Sequence, residues 1–422
     1  MERNNKVAVS VLLVVILILG CVIYFLYANS ELLSSLPWLE KEEPPTVVVT
    51  PPTEEMPDEP VPPDEPPADE PPADEPPAVE PQPPVDEPQQ PPIEQPPADE
   101  PLAPIVILDG TYYTYAQMSA QLAALAGRYP DILQVKSYGV SADGRDLYVA
   151  TLGDPNAPKQ IIITAGIHAR EYVNCFVVMR QMEYYLEHYD TVLYGGKTPR
   201  ELFSKVSLVI APMTNPDGIT LAQEGLGALR SDALREGIER MAHSSSGDDI
   251  DRYLNLNWKS NARGVDINRN FDILWEQYSV SSRYTVPSFK EYKGALANSE
   301  PETTALVALT EGLSDPVASI CVHSQGNIIY WRCDPSSELW AENLRLAEIT
   351  QEITGYQVID ENQTDAQTEP SYSNWTVFAC GIPTVTVENG VGGYPQHYGM
   401  ADGFFEKNRD LWAAVALEYT TD

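Results

Sequence analysis

Positive charge is what this chain has least of. From position 43 to position 104 there is no lysine or arginine at all, and over all 422 residues 26 lysines and arginines stand against 62 aspartates and glutamates, a formal net charge of -36. That balance argues against nucleic acid as a partner, because phosphate binding needs clustered cations. Anionic membrane surfaces are disfavoured for the same reason. A small anionic group gripped by a single arginine is not excluded. Cysteine is sparse too: Cys21, Cys175, Cys321, Cys333 and Cys380 include no CxxC pair, which argues against a cysteine-held metal cluster. The last four would make two disulfides or stay buried thiols, and spacing does not choose. Histidine is equally rare, with five in all.

The stretch without cations is rich in something else. Residues 43–104 hold 24 of the 38 prolines and 17 acidic residues, including the repeat PPADEPPADEPPAVEP. Such a segment has too little apolar surface to offset the entropy of ordering it. It favours extended polyproline II, and its like charges resist collapse. At ~3.1 Å per residue its reach is at most about 190 Å.

Upstream, Val7 to Ala28 form a run of 22 uncharged, mostly apolar residues preceded by Arg3 and Lys6. A helix of that length covers ~33 Å, enough to cross the hydrocarbon core. The flanking charges place the amino end in the cytoplasm. The run is too long for a cleaved signal peptide and lacks an A-x-A site. The expected organisation is a cytoplasmic tail at 1–6, a transmembrane anchor at 7–28, a disordered linker at 29–104 and one folded domain at 105–422 outside the cell. A lipid anchor at Cys21, suggested by LILGC, is the alternative.

Beyond position 104 the texture becomes that of an ordinary globular chain. Tyr115 to Arg128 puts Met118, Leu122 and Leu125 on one helical face. Apolar runs at Leu147–Leu152, Ile161–Ala165, Val206–Ala211, Val317–Val322 and Thr384–Val387 read as buried strands. Helical stretches are expected at Val173–Tyr189, Pro301–Leu313, Glu338–Ile353 and Phe404–Tyr419. The alternation implies a single α/β/α domain: a mixed, largely parallel twisted sheet covered by helices on both faces. Sites in such sheets form at the carboxyl ends of strands.

Polar signals gather there. One strand leads into His168 and Glu171, another into NPDG at 215–218; a third ends at His323 and a fourth at Glu388, with RGVDINRNF at 263–271 between. His168 and Glu171, at i and i+3, can share one face of a turn. With His323 they supply the nitrogen and oxygen donors a catalytic zinc takes from protein. Alone, HxxE is more often surface polarity than a metal site. His188, His243 and His397 have no comparable context. NPDG reads as turn chemistry, since Asn-Pro and Asp-Gly both favour tight turns.

HARE, NPDG, GVDINRNF, HSQG and TVTVENG occur in the order seen in zinc carboxypeptidases of the carboxypeptidase A type (peptidase family M14), and the chain resembles that family from about Tyr112 to its end. WKSNARGVDINRNF and HSQGNIIYW are similar to the bacterial branch that includes γ-D-glutamyl-diaminopimelate peptidases. The resemblance implies one Zn2+ per chain held by His168, Glu171 and His323, with Glu388 as general base. It implies a carboxylate grip at Asn268 and Arg269, for which arginine's planar fork is suited. Asp266 would orient a ligand histidine, and Arg170 would line the cleft. Two positions depart from the pattern. The arginine that polarises the scissile carbonyl is matched here by Lys259, a point charge without a fork. The position of the mobile tyrosine falls on Ala366, which leaves Tyr372 as the candidate from a different loop geometry. Ser373 occupies the position that selects side chains. The implied activity is hydrolysis of a cell-wall peptide (a muropeptide with a free carboxylate) at the γ-D-glutamyl to diaminopimelate bond. The alternatives are a carboxypeptidase acting on extracellular peptides and an inactive wall-peptide binding module. The oligomeric state is not indicated.

Overall fold

The computed structural model describes residues 103–246, 249–280, 284–334, 336–360 and 369–420. The expected tail and anchor, and nearly all of the expected linker, lie outside them; among the described residues no helix is long and apolar enough to cross a membrane. The strands are β1 (Leu133–Val140), β2 (Asp146–Leu152), β3 (Lys159–Ala165), β4 (Val206–Ala211), β5 (Pro316–His323), β6 (Ile328–Trp331), β7 (Gln357–Asp360) and β8 (Thr384–Glu388). The helices are α1 (Tyr115–Arg128), α2 (Val173–Glu187), α3 (Pro199–Phe203), α4 (Pro216–Glu224), α5 (Asp232–Ser246), α6 (Ile250–Asn257), α7 (Pro301–Glu311), α8 (Trp340–Thr354), α9 (Tyr372–Phe378), α10 (Ala401–Asn408) and α11 (Leu411–Glu418).

The strands make one sheet in the order β1-β2-β4-β3-β5-β8-β6-β7. Its centre, β4-β3-β5-β8, is parallel, and β6 pairs parallel with β7; the β1-β2, β2-β4 and β6-β8 pairings are antiparallel. The reason for the long apolar runs is visible in β3. Ile161 and Ile163 join one apolar cluster, with residues of α1, α2, α8, α10 and α11, while Ile162 joins another with Leu306 of α7 and Trp375 of α9. Successive side chains of a strand point to opposite faces, so helices cover both sides and the run Ile161–Ile163 is apolar on both faces. Each isoleucine so buried contributes roughly 1.5–3 kcal/mol.

Helix α1 has the predicted limits and buries Met118, Leu122 and Leu125; Thr114 and Gln117 close its first turn as a reciprocal capping box. Two expectations are corrected. The stretch 404–419 is two helices, because Gln181 and Tyr185 of α2 donate to the carbonyls of Asn408 (2.6 Å) and Arg409 (2.7 Å) at the break. NPDG is a helix start: Asn215 caps α4, accepting from the Gly218 amide at 3.0 Å. Its Asp217 is fully buried, taking bonds from Ser141 Oγ, Arg145 Nη1 and the Asp143 amide.

Glu302, also buried, accepts from the Ala142 amide and Asn261 Nδ2. Burial, then the charge of Asp217, pushes its pKa up to about 7. The folded state therefore keeps a proton that the unfolded chain releases above about 4.5. Stability should fall as pH rises from about 4.5 to about 7 and level off beyond, by up to about 3 kcal/mol. Denaturant titrations across that range should show Glu302→Gln flattening the slope, and an unaltered slope would rule Glu302 out as its source.

The four described cysteines form no disulfide with one another. Cys175, Cys321 and Cys333 are buried, so the thiol alternative is the one realised among them.

Candidate metal centre and active site

Past β3 the chain must turn sharply to bring His168 back over the sheet edge. Gly166 makes the turn at φ +69°, where a Cβ would meet Cys175 Sγ at 2.5 Å. His168 follows in extended conformation, and a single 3-10 turn, Ala169–Glu171, swings the glutamate beneath it before α2 begins. His323 arrives from the neighbouring β5, and Glu388 from β8, which pairs with β5 so that His323 and Glu388 are register partners. Partners in adjacent strands point to the same face, so the ladder alone places Glu388 beside the histidine.

His168 Nδ1 lies 2.9 Å from Glu171 Oε1, and His323 Nδ1 lies 3.0 Å from Glu171 Oε2, which also accepts from the Ser324 amide at 3.1 Å. All three side chains are buried, and their donor atoms lie within 4.8 Å of one another. Burial works against the charge of Glu171, but the two histidines outweigh it and hold the carboxyl well below its usual range. For His168 burial opposes protonation, and Glu171 and Asp266 outweigh it in the other direction. The far nitrogen of His168 and Asp266 Oδ1 face each other at 3.6 Å, both buried and without another hydrogen-bond partner. This is the outer-sphere arrangement that orients a ligand histidine. Two buried imidazoles and a carboxylate converging on one point, one histidine braced from behind, fit zinc.

The other expected residues sort by position. Lys259 is half-buried, its carbonyl accepts from the Ala169 amide at 3.1 Å, and its charge bears on His168 and Asp266. Arg269 is 7% exposed and Asn268, beside it, is half-buried, with Oδ1 accepting from the Tyr372 amide at 3.0 Å. Arg170 lays its guanidinium 3.7 Å over the Tyr394 ring. Tyr394 was not anticipated: burial, then the charges of Glu171 and Glu388, push its phenol up to about 12, which puts it at the edge of the same site. Ser373 is half-buried in the first turn of α9, with its hydroxyl 3.1 Å from that of Ser371.

Tyr372 is corrected. It is 1% exposed, its hydroxyl is hydrogen-bonded to that of Thr310 at 2.8 Å, and its ring packs on Phe271 and Trp375. A side chain so enclosed is core and has no room to swing over a cleft. Ala366 lies outside the described residues. Also unanticipated are Glu369, Glu291 and Tyr278, which surround Arg269. No periodicity or spacing in the sequence marks them.

A buried histidine-glutamate-histidine set with a further carboxylate alongside, at the carboxyl ends of adjacent parallel strands, defines a metallohydrolase of the α/β class. Residues 118–405 match the zinc carboxypeptidase family, peptidase M14, and the chain belongs to it. It is a zinc metallopeptidase taking one zinc per chain. Among curated relatives it is 28% identical over 287 residues to the uncharacterized protein YqgT of Bacillus subtilis, covering 66% of this chain and 71% of the other. It is 26% identical over 303 residues to gamma-D-glutamyl-L-diamino acid endopeptidase 1 of Lysinibacillus sphaericus, covering 72% of each. The fold is similar to that of thrombin activatable fibrinolysis inhibitor, with a TM-score of 0.58 at 18% identity over 75% of this chain and 77% of that one.

Proposed function

We propose that this peptidase hydrolyses cell-wall peptides at a γ-D-glutamyl to diamino acid bond, with Glu388 as general base. The observation that carries the reading is the likeness to the Lysinibacillus endopeptidase over 72% of both chains. His168, Glu171 and His323 would hold the zinc, which when bound would supply positive charge to activate water and polarise a carbonyl. Glu388, in register with His323, takes the proton from the attacking water and returns it to the leaving amine. Asp266 keeps the His168 ring in place. Lys259 adds positive charge where negative charge develops on the carbonyl oxygen. Asn268 and Arg269 hold a carboxylate of the leaving residue, and Arg170 and Ser373 line the substrate path.

The apolar run at 7–28 and the proline-rich stretch after it support a second part of the proposal: a membrane-tethered enzyme working in the wall, at a distance from the bilayer set by the linker. An ordinary carboxypeptidase would use the same residues. Incubating the zinc-loaded enzyme with defined muropeptides and with acylated dipeptides, followed by mass spectrometry, separates the two. Muropeptide cleavage at the γ-bond is expected; cleavage of the dipeptides alone would overturn the wall assignment.

A further inference from the structure

Arg269 does not meet a ligand alone. Its Nη2 donates to Glu369 Oε1 at 2.7 Å, and its Nε lies 3.4 Å from Glu291 Oε2. The same Nε donates to Tyr278 Oη at 3.2 Å, and Tyr278 donates in turn to Glu291 at 3.3 Å. The arginine side chain is only 8% exposed, against 30% for Glu369 and 24% for Glu291, so the carboxylates are the more solvent-exposed members of the group. Glu291 is fixed there by its backbone. It sits at φ +63°, in the left-handed region, and its amide donates to Asp266 Oδ2 at 3.0 Å. A non-glycine residue persists in that region only where its surroundings hold it.

One cation thus faces two anions. Lys259 also bears on Glu369, but Asp266, on which it acts too, offsets it. A ligand offering only a carboxylate adds a third anion beside Glu369 and Glu291, and where it takes the place of Glu369 on Arg269 it leaves a partly buried glutamate without its cation. That is unfavourable twice over. A ligand with an ammonium group near its carboxylate removes both penalties. The carboxylate takes Arg269, and the displaced Glu369, with Glu291, takes the ammonium.

We propose that Glu369, supported by Glu291, is a specificity residue that selects a leaving-side residue bearing an ammonium group as well as a carboxylate, as a diamino acid does. The inference rests on the proposed function for placing Arg269 in the substrate subsite.

Calorimetry on the zinc-loaded full chain tests it with two probes on the same six-carbon skeleton, Nα-acetyl-L-lysine and Nα-acetyl-L-norleucine, which share the carboxylate and differ in the terminal ammonium. The lysine probe should bind at least about tenfold more tightly, a step worth roughly 1.4 kcal/mol. In Glu369→Gln that ratio should fall close to one, with the norleucine probe bound as well as before or better and zinc content unchanged. Equal affinities in the wild type, binding of neither probe, or a preference that survives Glu369→Gln would each overturn the proposal. The wild-type ratio decides even if the variant fails to fold. Muropeptide cleavage is read separately, so an enzyme that prefers the lysine probe yet leaves muropeptides intact refutes the wall substrate and not the selectivity of Glu369.

Discussion

Glu388→Gln is expected to cut kcat by roughly 10²–10⁴-fold, the range general acid-base catalysis supplies, while the protein keeps a full complement of zinc. The substitution keeps the shape of the side chain while removing its negative charge and its proton affinity. Glutamine has the volume and shape of glutamate, and position 388 is half-buried at the last residue of β8, so the ladder with β5 and β6 is preserved. Glu388 is also absent from the three-residue group whose donor atoms converge, so the metal should stay. What is lost is a carboxylate next to His323 that can accept a proton and give it back. Steady-state kinetics beside zinc analysis of the same preparation checks both halves. Turnover unchanged in a zinc-replete variant would remove Glu388 from the reaction.

His323→Ala should behave in the opposite way, losing the metal first and activity as a consequence. The side chain is one of the three proposed donors, and zinc affinity should fall by more than the roughly 10- to 100-fold that follows loss of an outer-sphere partner. A second effect is expected in chelator, where the metal plays no part. Glu171 is buried and keeps its charge through His168 and His323. Removing one of its partners should lower stability by about 1–3 kcal/mol. Metal analysis after dialysis and thermal unfolding in chelator read these separately. Zinc retained near one per chain by the variant would refute the ligand assignment.

The carboxyl ends of four strands were legible from the chain because buried strands write themselves as apolar runs. Ile161–Ala165, Val206–Ala211, Val317–Val322 and Thr384–Val387 all lie within observed strands. The residues that follow them, His168, Glu171, His323 and Glu388, inherit their place in space from the sheet. Strand β1, by contrast, carries Lys136 and Ser137 and pairs only with β2 at the sheet edge, so half its positions are open to water and its pattern is weak. Strands β6 and β7 have four residues each, too few to show a period. Helices α10 and α11 look continuous in sequence because the residues between them do not forbid a helix. Their break is imposed by side chains of α2, more than 220 positions earlier.

The same division runs through the site. The converging histidines and glutamates were readable as candidates because they sit at or just past the ends of β3, β5 and β8 and the chemistry limits the residue types. The exclusion of Tyr372 from the cleft depended on Thr310, Phe271 and Trp375 closing around it. The environment of Arg269 depended on Glu369, 100 positions away, and on Glu291, pinned by an amide to Asp266. A sequence records what each short segment wants by itself: which face avoids water, where a cap satisfies an amide, which residues can bind a metal. It does not record which distant charges meet, since that is settled only when the chain closes and burial forces every charge to find its partner.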